Sequence, residues 1–258
     1  VKFVTGTDEH GQKIQKSADK RKLSPNVFCN EISKVFLDLT KTLNLSNTDF
    51  IRTTEDRHHK TVQKLWKILE EKKFIYLSKY SGWYSVSDEA FYTESEIVEK
   101  DNIKLSEASG SVVEWVEEES YFFKLSEFQN LLIKHYEDNP EFIQPSSRRN
   151  EVMSFVKGGL NDLSISRNSF KWGISVPNSK DHIIYVWLDA LTNYLTATNY
   201  FDENSSWPAD VHIIGKDILR FHAVYWPAFL LAAEIPLPKT IFGHGWILSG
   251  DEKMSKSK

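Results

Sequence analysis

Apolar positions near the start of the chain recur at spacings that predict a strand followed by helices. Residues 1–6 alternate and are rich in β-branched side chains, and a polar turn at residues 7–11 precedes a helical pattern over residues 12–21. A second helix is predicted to begin at Ser24 and Pro25, which suit the cap and the first turn. Its predicted buried face consists of Phe28, Ile32, Phe36 and Leu39. A third helix is predicted after Thr54, with Val62, Leu65, Trp66 and Leu69 facing inward.

The middle of the chain changes to short, aromatic, alternating stretches that predict a small β-rich insertion. The predicted strands are residues 74–77, 82–86 and 111–116. Residues 81–120 also hold eleven acidic residues and two lysines, a net charge of −9, so this segment has a character of its own. We therefore expect a first part of an α/β domain at residues 1–73, a connective insertion at residues 74–140, and a second part of the domain at residues 141–258.

The second half of the chain repeats the order strand, polar turn, helix. The continuous apolar run at residues 183–188 predicts a strand buried on both faces, and residues 211–215 predict another before an aromatic helix that Pro227 should kink. This order predicts a Rossmann-like, doubly wound parallel sheet. Polar clusters follow three of the predicted strands, and ligands bind at that edge of such sheets. The clusters are residues 7–11, residues 187–190, and residues 215–217 with His222.

Composition and charge narrow the class of protein. A length of 258 residues with 13% aromatic and 26% charged residues is typical of a folded globular protein. The net charge of −4 argues against indiscriminate binding to nucleic acid. A single cysteine, Cys29, excludes an intramolecular disulfide and a multi-cysteine zinc site. Without a long apolar run or a signal-peptide pattern, we expect a cytoplasmic protein that does not bind membranes.

The last residues carry the most specific motif. Lys253, Lys256 and Lys258 alternate with serines after a glycine turn, a combination that suits polyphosphate. Residues 253–257 read Lys-Met-Ser-Lys-Ser, the KMSKS signature of class I aminoacyl-tRNA synthetases. Together with four further stretches, this motif resembles the methionyl-tRNA synthetase family. Those stretches are Phe3-Val-Thr-Gly-Thr-Asp-Glu-His-Gly-Gln, Tyr185-Val-Trp-Leu-Asp-Ala, His212-Ile-Ile-Gly-Lys-Asp-Ile with Phe221-His-Ala-Val-Tyr-Trp-Pro, and His244-Gly-Trp.

The resemblance implies ATP-dependent formation of methionyl-adenylate with release of pyrophosphate, followed by transfer of the methionyl group to tRNA(Met). It implies a methionine pocket made of Asp8, Trp187, Ala190, Tyr194, Ile218 and His222. It places ATP, accompanied by Mg²⁺, at Gly215, Asp217, His244, Gly245, Lys253 and Lys256. Of these residues, it gives Lys253 and Lys256, with Arg167, a catalytic role. A thioether is apolar and polarizable, so aromatic walls and one carboxylate for the ammonium suit methionine.

The sequence departs from the family pattern in three places. The family's first strand and its His-Ile-Gly-His motif are absent, so we expect a fragment of the catalytic domain, which need not be active alone. The insertion lacks the cysteines that bind zinc in many relatives, so we expect no structural zinc. Leu191 stands where many relatives have proline. The alternatives are another class I aminoacyl-tRNA synthetase, or a non-catalytic tRNA-binding or interaction fragment of the same fold.

Overall fold

The computed structural model describes residues 1–100, 103–250 and 252–253, which fall into two compact units. The first unit comprises Val1–Phe123 and Ser164–Ala197, and the second comprises Lys124–Leu163 and Thr198–Lys258. The α-helices of the described residues are α1 (Gln12–Lys20), α2 (Pro25–Thr42), α3 (Asp56–Glu71), α4 (Gln129–Asp138), α5 (Ser146–Lys157), α6 (Val186–Ala197) and α7 (Trp226–Ala232). No helix of the described residues is long and apolar enough to cross a membrane.

The strands are mostly short, and both parallel and antiparallel pairs occur. They are β1 (Val4–Thr7), β2 (Asp49–Arg52), β3 (Ile75–Ser85), β4 (Ala90–Tyr92), β5 (Ile97–Lys100), β6 (Ile103–Ser106), β7 (Glu114–Phe123), β8 (Ile143–Gln144), β9 (Leu163–Ser164), β10 (Ser166–Arg167), β11 (Ile183–Ile184), β12 (Val211–Gly215), β13 (Thr240–His244), β14 (Leu248–Ser249) and β15 (Glu252–Lys253).

In the first unit, β1 lies parallel to β2, and the predicted strand, turn and helix are present as β1, the turn and α1. Helix α3 buries all four predicted residues, Val62, Leu65, Trp66 and Leu69, because its apolar positions recur at helical spacing. Strand β3 pairs with β7 and β4 in antiparallel order, so the predicted aromatic strands form a sheet. The strands predicted at residues 74–77 and 82–86 are one continuous strand, β3.

The buried face of α2 differs from the prediction. Ser24 caps the helix as expected, since its hydroxyl accepts a hydrogen bond from the Val27 amide. However, Ile32 and Leu39 are exposed, and the buried residues are Cys29, Ser33 and Thr40. The Cys29 thiol donates to the Glu9 carbonyl, and the Ser33 hydroxyl lies 3.3 Å from the Thr7 hydroxyl. The small polar side chains therefore face the turn after β1, which the apolar spacing alone did not predict.

The strand predicted at residues 183–188 is also wrong. Strand β11 covers only Ile183 and Ile184, and helix α6 already begins at Val186. A continuous apolar run fits a buried helix as well as a buried strand, and periodicity does not separate the two. Nine of the twelve residues of α6 are buried, which explains why the run carries no polar break. As a result, Trp187, Asp189 and Ala190 lie on a helix rather than at the end of a strand.

In the second unit, β13 lies between β12 and β8, and all three strands are parallel. The aromatic stretch after β12 is divided into three helical types. A 3-10 turn at Lys216–Ile218 is followed by a π turn at Phe221–Tyr225 and then by α7. Pro227 lies in the first turn of α7, directly after the π turn, and proline has no amide hydrogen to donate to the preceding turn. The sequence predicts a kink at Pro227, and the structure has a change from π to α helix next to it.

Candidate active site

The turn after β1 carries two adjacent carboxylates, of which Asp8 is exposed and Glu9 is buried. Glu9 is buried and accepts a two-pronged ion pair from Arg52, with N···O distances of 2.8 and 3.0 Å. The Thr54 and Thr7 hydroxyls donate to the same carboxylate at 2.6 and 2.7 Å. Burial alone raises the pKa of Glu9, but these hydrogen bonds outweigh it and hold the pKa below its ordinary value. Glu9 thus anchors the turn, while Asp8 is exposed.

His10, the next residue of the turn, belongs to a buried cluster of polar side chains. Its Nδ1 lies 2.7 Å from Asp189 Oδ2 on α6, and Asp189 Oδ1 lies 2.7 Å from His58 Nε2 on α3. Burial alone lowers the pKa of His10, and the Asp189 carboxylate more than offsets this, so the pKa is raised. Burial alone raises the pKa of Asp189, and the two histidines more than offset it, so that pKa is lowered. Asp189 is therefore a buried anion with two histidine donors.

Helix α6 carries three of the predicted methionine-binding residues. Trp187, Ala190 and Tyr194 are spaced by three and four residues, which places them on one face of the helix. Ala190 is buried, and Trp187 and Tyr194 are partly buried. The structure thus aligns three residues of the first unit that the sequence predicted for one pocket, and Asp189 fixes their helix from within.

Arg167 is buried in a cage of aromatic rings. Its guanidinium carbon lies 5.3, 4.6 and 4.5 Å from the ring centroids of Tyr84, Phe91 and Tyr185. Its Nη1 donates to the Ser164 hydroxyl at 2.9 Å and to the Ser166 carbonyl at 2.5 Å. Cation–π contacts and charged hydrogen bonds of this kind hold a guanidinium in one orientation.

Glu89 of the β3–β4 hairpin joins that cage to the start of α1. Its carboxylate accepts hydrogen bonds from the Lys13 amide and the Tyr84 hydroxyl, and its carbonyl accepts from the Tyr185 hydroxyl. Gly11 has a φ of 103° and packs so closely that an added Cβ would lie 2.7 Å from the Glu89 carboxylate. Gly11 therefore suits this turn both by its backbone conformation and by its lack of a side chain.

The carboxyl ends of β12 and β13 bring together four of the predicted nucleotide-binding residues, Gly215, Asp217, His244 and Gly245. Gly215 and His244 are paired in the parallel register of the two strands. A Cβ at Gly215 would lie 2.6 Å from Asp217 Oδ1 and 3.9 Å from His244 Cε1. Gly245 follows directly and has open space around its Cα. This is the strand edge at which open α/β sheets bind ligands.

His222 is buried one helical turn after Ile218, and its Nδ1 donates to the Ile218 carbonyl at 3.0 Å. Burial lowers the pKa of His222 to about 4, so the imidazole is neutral near pH 7. A neutral imidazole next to an isoleucine suits an uncharged part of a ligand. Lys253 belongs to β15, and Lys256 lies outside the described residues.

No sequence pattern predicted a role for Arg52, His58 or Glu89. His58 precedes Val62 by four residues on the buried face of α3, so a histidine at a core position was the available signal. Arg52 and Glu89 act through contacts 43 and 76 residues away in sequence, which no local pattern indicates. Among the described residues, no group of three or more His, Cys, Asp or Glu side chains is arranged to hold a metal ion.

Comparison with known proteins identifies similar chains over the full length. The family model described as tRNA synthetases class I (M) matches residues 1–258. The methionine--tRNA ligases of Rickettsia conorii and Rhizobium meliloti are 56% and 55% identical over 100% of this chain, which covers 51% of each relative. The Mycobacterium tuberculosis methionyl-tRNA synthetase bound by methionyl-adenylate matches with a TM-score of 0.96 and 51% identity, over 100% of this chain and 52% of that one. The apo form of that synthetase matches with a TM-score of 0.81 and 44% identity, over 95% of this chain and 55% of that one. The chain spans about half the length of these curated relatives.

Proposed function

The chain belongs to the family of class I tRNA synthetases for methionine, and on that basis we propose that the protein activates L-methionine with ATP and transfers the methionyl group to tRNA(Met). The observation that carries this proposal is the match of the whole chain to a synthetase solved with methionyl-adenylate. We further propose that it works in the cytoplasm and acts on free methionine, ATP and tRNA(Met).

We propose that Asp8 binds the methionine ammonium and that the α6 face of Trp187, Ala190 and Tyr194 contacts the side chain. Asp8 is exposed, and it follows the strand next to Glu9, whose ion pair with Arg52 fixes the backbone of the turn. The Asp8 carboxylate therefore starts from a fixed backbone position and remains accessible. The aromatic side chains suit a thioether, since sulfur makes favourable contacts with ring edges. Ile218 and the neutral His222 are proposed to contact methionine as well.

We propose that Gly215, Asp217, His244 and Gly245 bind ATP. A side chain at Gly215 would displace the Asp217 carboxylate, since its Cβ would lie 2.6 Å from Oδ1, so glycine leaves that carboxylate in place at the strand end. Asp217 offers a carboxylate for ribose hydroxyls. Lys253 and Lys256 are proposed to contact the triphosphate, and Mg²⁺ would enter with the nucleotide, because Mg²⁺ in such sites is bound largely by substrate phosphates.

The proposed chemistry needs alignment more than acid–base groups. A carboxylate oxygen of methionine attacks the α-phosphorus of ATP, forming the acyl phosphate bond while the bond to pyrophosphate breaks. The attacking carboxylate carries no proton to remove, so charge builds only on the departing pyrophosphate. Lysine ammonium groups and the fixed guanidinium of Arg167 are suited to that charge, and the buried turn and helix positions hold the amino acid.

We propose that residues 74–140 form a connective module without zinc. The single cysteine, Cys29, lies on α2 and so outside this segment. Asp88 accepts hydrogen bonds from hydroxyl groups of the same segment, those of Tyr92, Ser109 and Ser111. Such a cluster holds neighbouring loops without a metal. Elemental analysis should find less than one zinc per chain in the purified protein, and a stoichiometric, tightly held zinc would contradict the proposal.

Amino-acid-dependent exchange of pyrophosphate into ATP tests the proposed function. We expect exchange with methionine and none above background with isoleucine, valine, leucine or cysteine. Asp8→Asn should weaken methionine affinity about tenfold to a hundredfold, since a partly desolvated charged hydrogen bond contributes about 1.5 to 3 kcal/mol. Asp38→Asn, which removes an exposed carboxylate paired with Lys41, is the matched control and should leave the affinity unchanged. Exchange with another amino acid would overturn the assignment.

A further inference from the structure

Asp189 is a buried carboxylate that joins two histidines from different elements of the first unit. It is fully buried, and His10 and His58 are 6% and 0% exposed. Both carboxylate oxygens are used, one for each ring, at 2.7 Å. An ionised carboxylate only accepts hydrogen bonds, so His10 must carry a proton on Nδ1 and His58 on Nε2. The carboxylate thereby selects the tautomer and the orientation of both rings.

The second ring nitrogen of His58 also has a hydrogen-bond partner. Its Nδ1 lies 2.9 Å from the hydroxyl of Thr196 on α6. That hydroxyl lies 3.3 Å from the carbonyl of Thr192, the other threonine of α6. A neutral His58 accepts a hydrogen bond from the Thr196 hydroxyl, since its Nε2 proton is directed at Asp189. Helix α3 is therefore joined to α6 through both ring nitrogens of His58. Nε2 contacts Asp189, and Nδ1 contacts Thr196.

The charged groups around the cluster belong to three elements. Asp8 and Glu9 of the turn lie close enough to His10 to raise its pKa, and Glu9 is itself paired with Arg52 of β2. His59 of α3 lies with its ring 5.4 Å from that of His10. No cation in this set replaces the histidines at Asp189, because Arg52 is already used by Glu9. A buried carboxylate that lost its histidine donors would be left with a large desolvation penalty.

Two of the elements that Asp189 joins, the turn after β1 and helix α6, carry proposed methionine contacts. His10 follows Asp8 by two residues, and Asp189 lies between Trp187 and Ala190 in the first turn of α6. We propose that Asp189 is a positioning residue for methionine, because its hydrogen bonds to His10 and His58 fix the turn that bears Asp8 against the helix that bears Trp187 and Ala190. This inference rests on the proposed function and adds to it a residue that does not touch the substrate.

Asp189→Asn tests the proposal in the intact protein by steady-state pyrophosphate exchange. Asparagine keeps the shape of the side chain but removes the charge, and its amide leaves one oxygen acceptor for two donors. A looser pocket affects bound methionine and the transition state alike, so we expect the KM for methionine to rise about tenfold with little change in kcat. The KM for ATP should stay within about twofold of the wild-type value, because Asp189 is proposed to position methionine contacts alone.

Thr192→Val is the matched control for general loosening of α6. Thr192 is buried on the same helix, but its hydroxyl donates to the Leu188 carbonyl and contacts neither histidine. We expect Thr192→Val to leave the KM for methionine within about twofold of wild type, since a neutral buried hydrogen bond on one helix contributes little to the pocket. An equal rise in both variants, or parallel rises in the KM values for methionine and ATP in Asp189→Asn, would assign Asp189 a purely structural role.

A pair of substitutions at His58 keeps the proposal testable if Asp189→Asn does not fold. Glutamine at position 58 retains a donor near the place of Nε2, whereas His58→Leu retains only bulk. We expect the KM for methionine to rise in the order wild type, His58→Gln, His58→Leu. Equal KM values in the two variants would overturn the proposal. If wild type itself shows no methionine-dependent exchange, the proposed function fails, which is a different outcome from a normal wild type with unaffected variants.

Discussion

The ion pair between Glu9 and Arg52 gives a prediction whose size follows from the structure. Glu9 is 3% exposed and depends on Arg52 for its two-pronged contact, while the Thr7 and Thr54 hydroxyls supply only neutral donors. Removing one partner of a buried pair costs about 3 to 5 kcal/mol. The Arg52 side chain is 28% exposed, so water replaces part of the loss. We expect Arg52→Met to lower the free energy of unfolding by about 2 to 3 kcal/mol.

A second substitution separates the lost charge from lost packing. Glutamine at position 9 needs no cation, so Glu9→Gln combined with Arg52→Met should be more stable than Arg52→Met alone, by about 1 to 2 kcal/mol. Arg57→Met is the control, because Arg57 pairs with Asp49 at a more exposed site and should cost about 1 kcal/mol or less.

The effect of acid provides a further check on the same pair. The pKa of Glu9 is lowered in the folded protein, so its contribution to stability is present above the unfolded pKa near 4.5 and is lost as the pH falls below that value. The stability difference between wild type and Arg52→Met should therefore shrink below pH 4.5. Urea unfolding followed by circular dichroism at pH 7 and across acid pH measures both effects. A loss in Arg52→Met no larger than in Arg57→Met, or no recovery in the double variant, would refute the reasoning.

Three further predictions concern strand β1, the connective segment and the terminal motif. Gly6→Ala should destabilise the first unit by about 2 kcal/mol or more in urea unfolding, because its Cβ would lie 1.9 Å from the Ile51 carbonyl oxygen and one strand must move; wild-type stability would contradict the close approach. Asp88→Ala should increase amide hydrogen exchange around residues 103–111 by removing the acceptor of the Ser109 and Ser111 hydroxyls, and unchanged exchange would exclude that role. Lys256→Ala should slow adenylate formation about a hundredfold, equivalent to about 3 kcal/mol, with a smaller effect on methionine affinity; a wild-type rate in rapid-quench measurements would remove the lysine from catalysis.

Local pattern predicted those parts of the fold that local chemistry determines. The cap of α2 at Ser24 and the buried face of α3 follow from capping and spacing, and the structure agrees with both, while α1 ends one residue before its predicted end. The repeated order of strand, turn and helix predicted a parallel sheet, and β8, β12 and β13 form one. These features depend on neighbours within a few residues, or on rules of chain connection that hold for many folds.

The remaining features depend on partners distant in sequence. The apolar residues of α2 predicted a buried face that the structure exposes, because Cys29 and Ser33 pack against the turn after β1 instead. The apolar run at residues 183–188 fits a buried strand and a buried helix equally well. Only the folded structure shows that α6 begins within it, at Val186, and that this helix is buried on nearly all sides. The bridge from Asp189 to His58 spans 131 residues, so the sequence placed Asp189 near a ligand edge without indicating its partners.

The amino acid that the intact protein attaches to tRNA tests the proposed function most directly. The protein would be incubated with ATP, Mg²⁺, unfractionated tRNA and an equimolar mixture of the twenty amino acids. The esters would then be hydrolysed from the recovered tRNA and identified by mass spectrometry. A class I synthetase for methionine should attach methionine alone, in an ATP-dependent manner, to tRNA(Met). Attachment of isoleucine, leucine, valine or cysteine, or no attachment by a protein that still binds tRNA, would contradict the account.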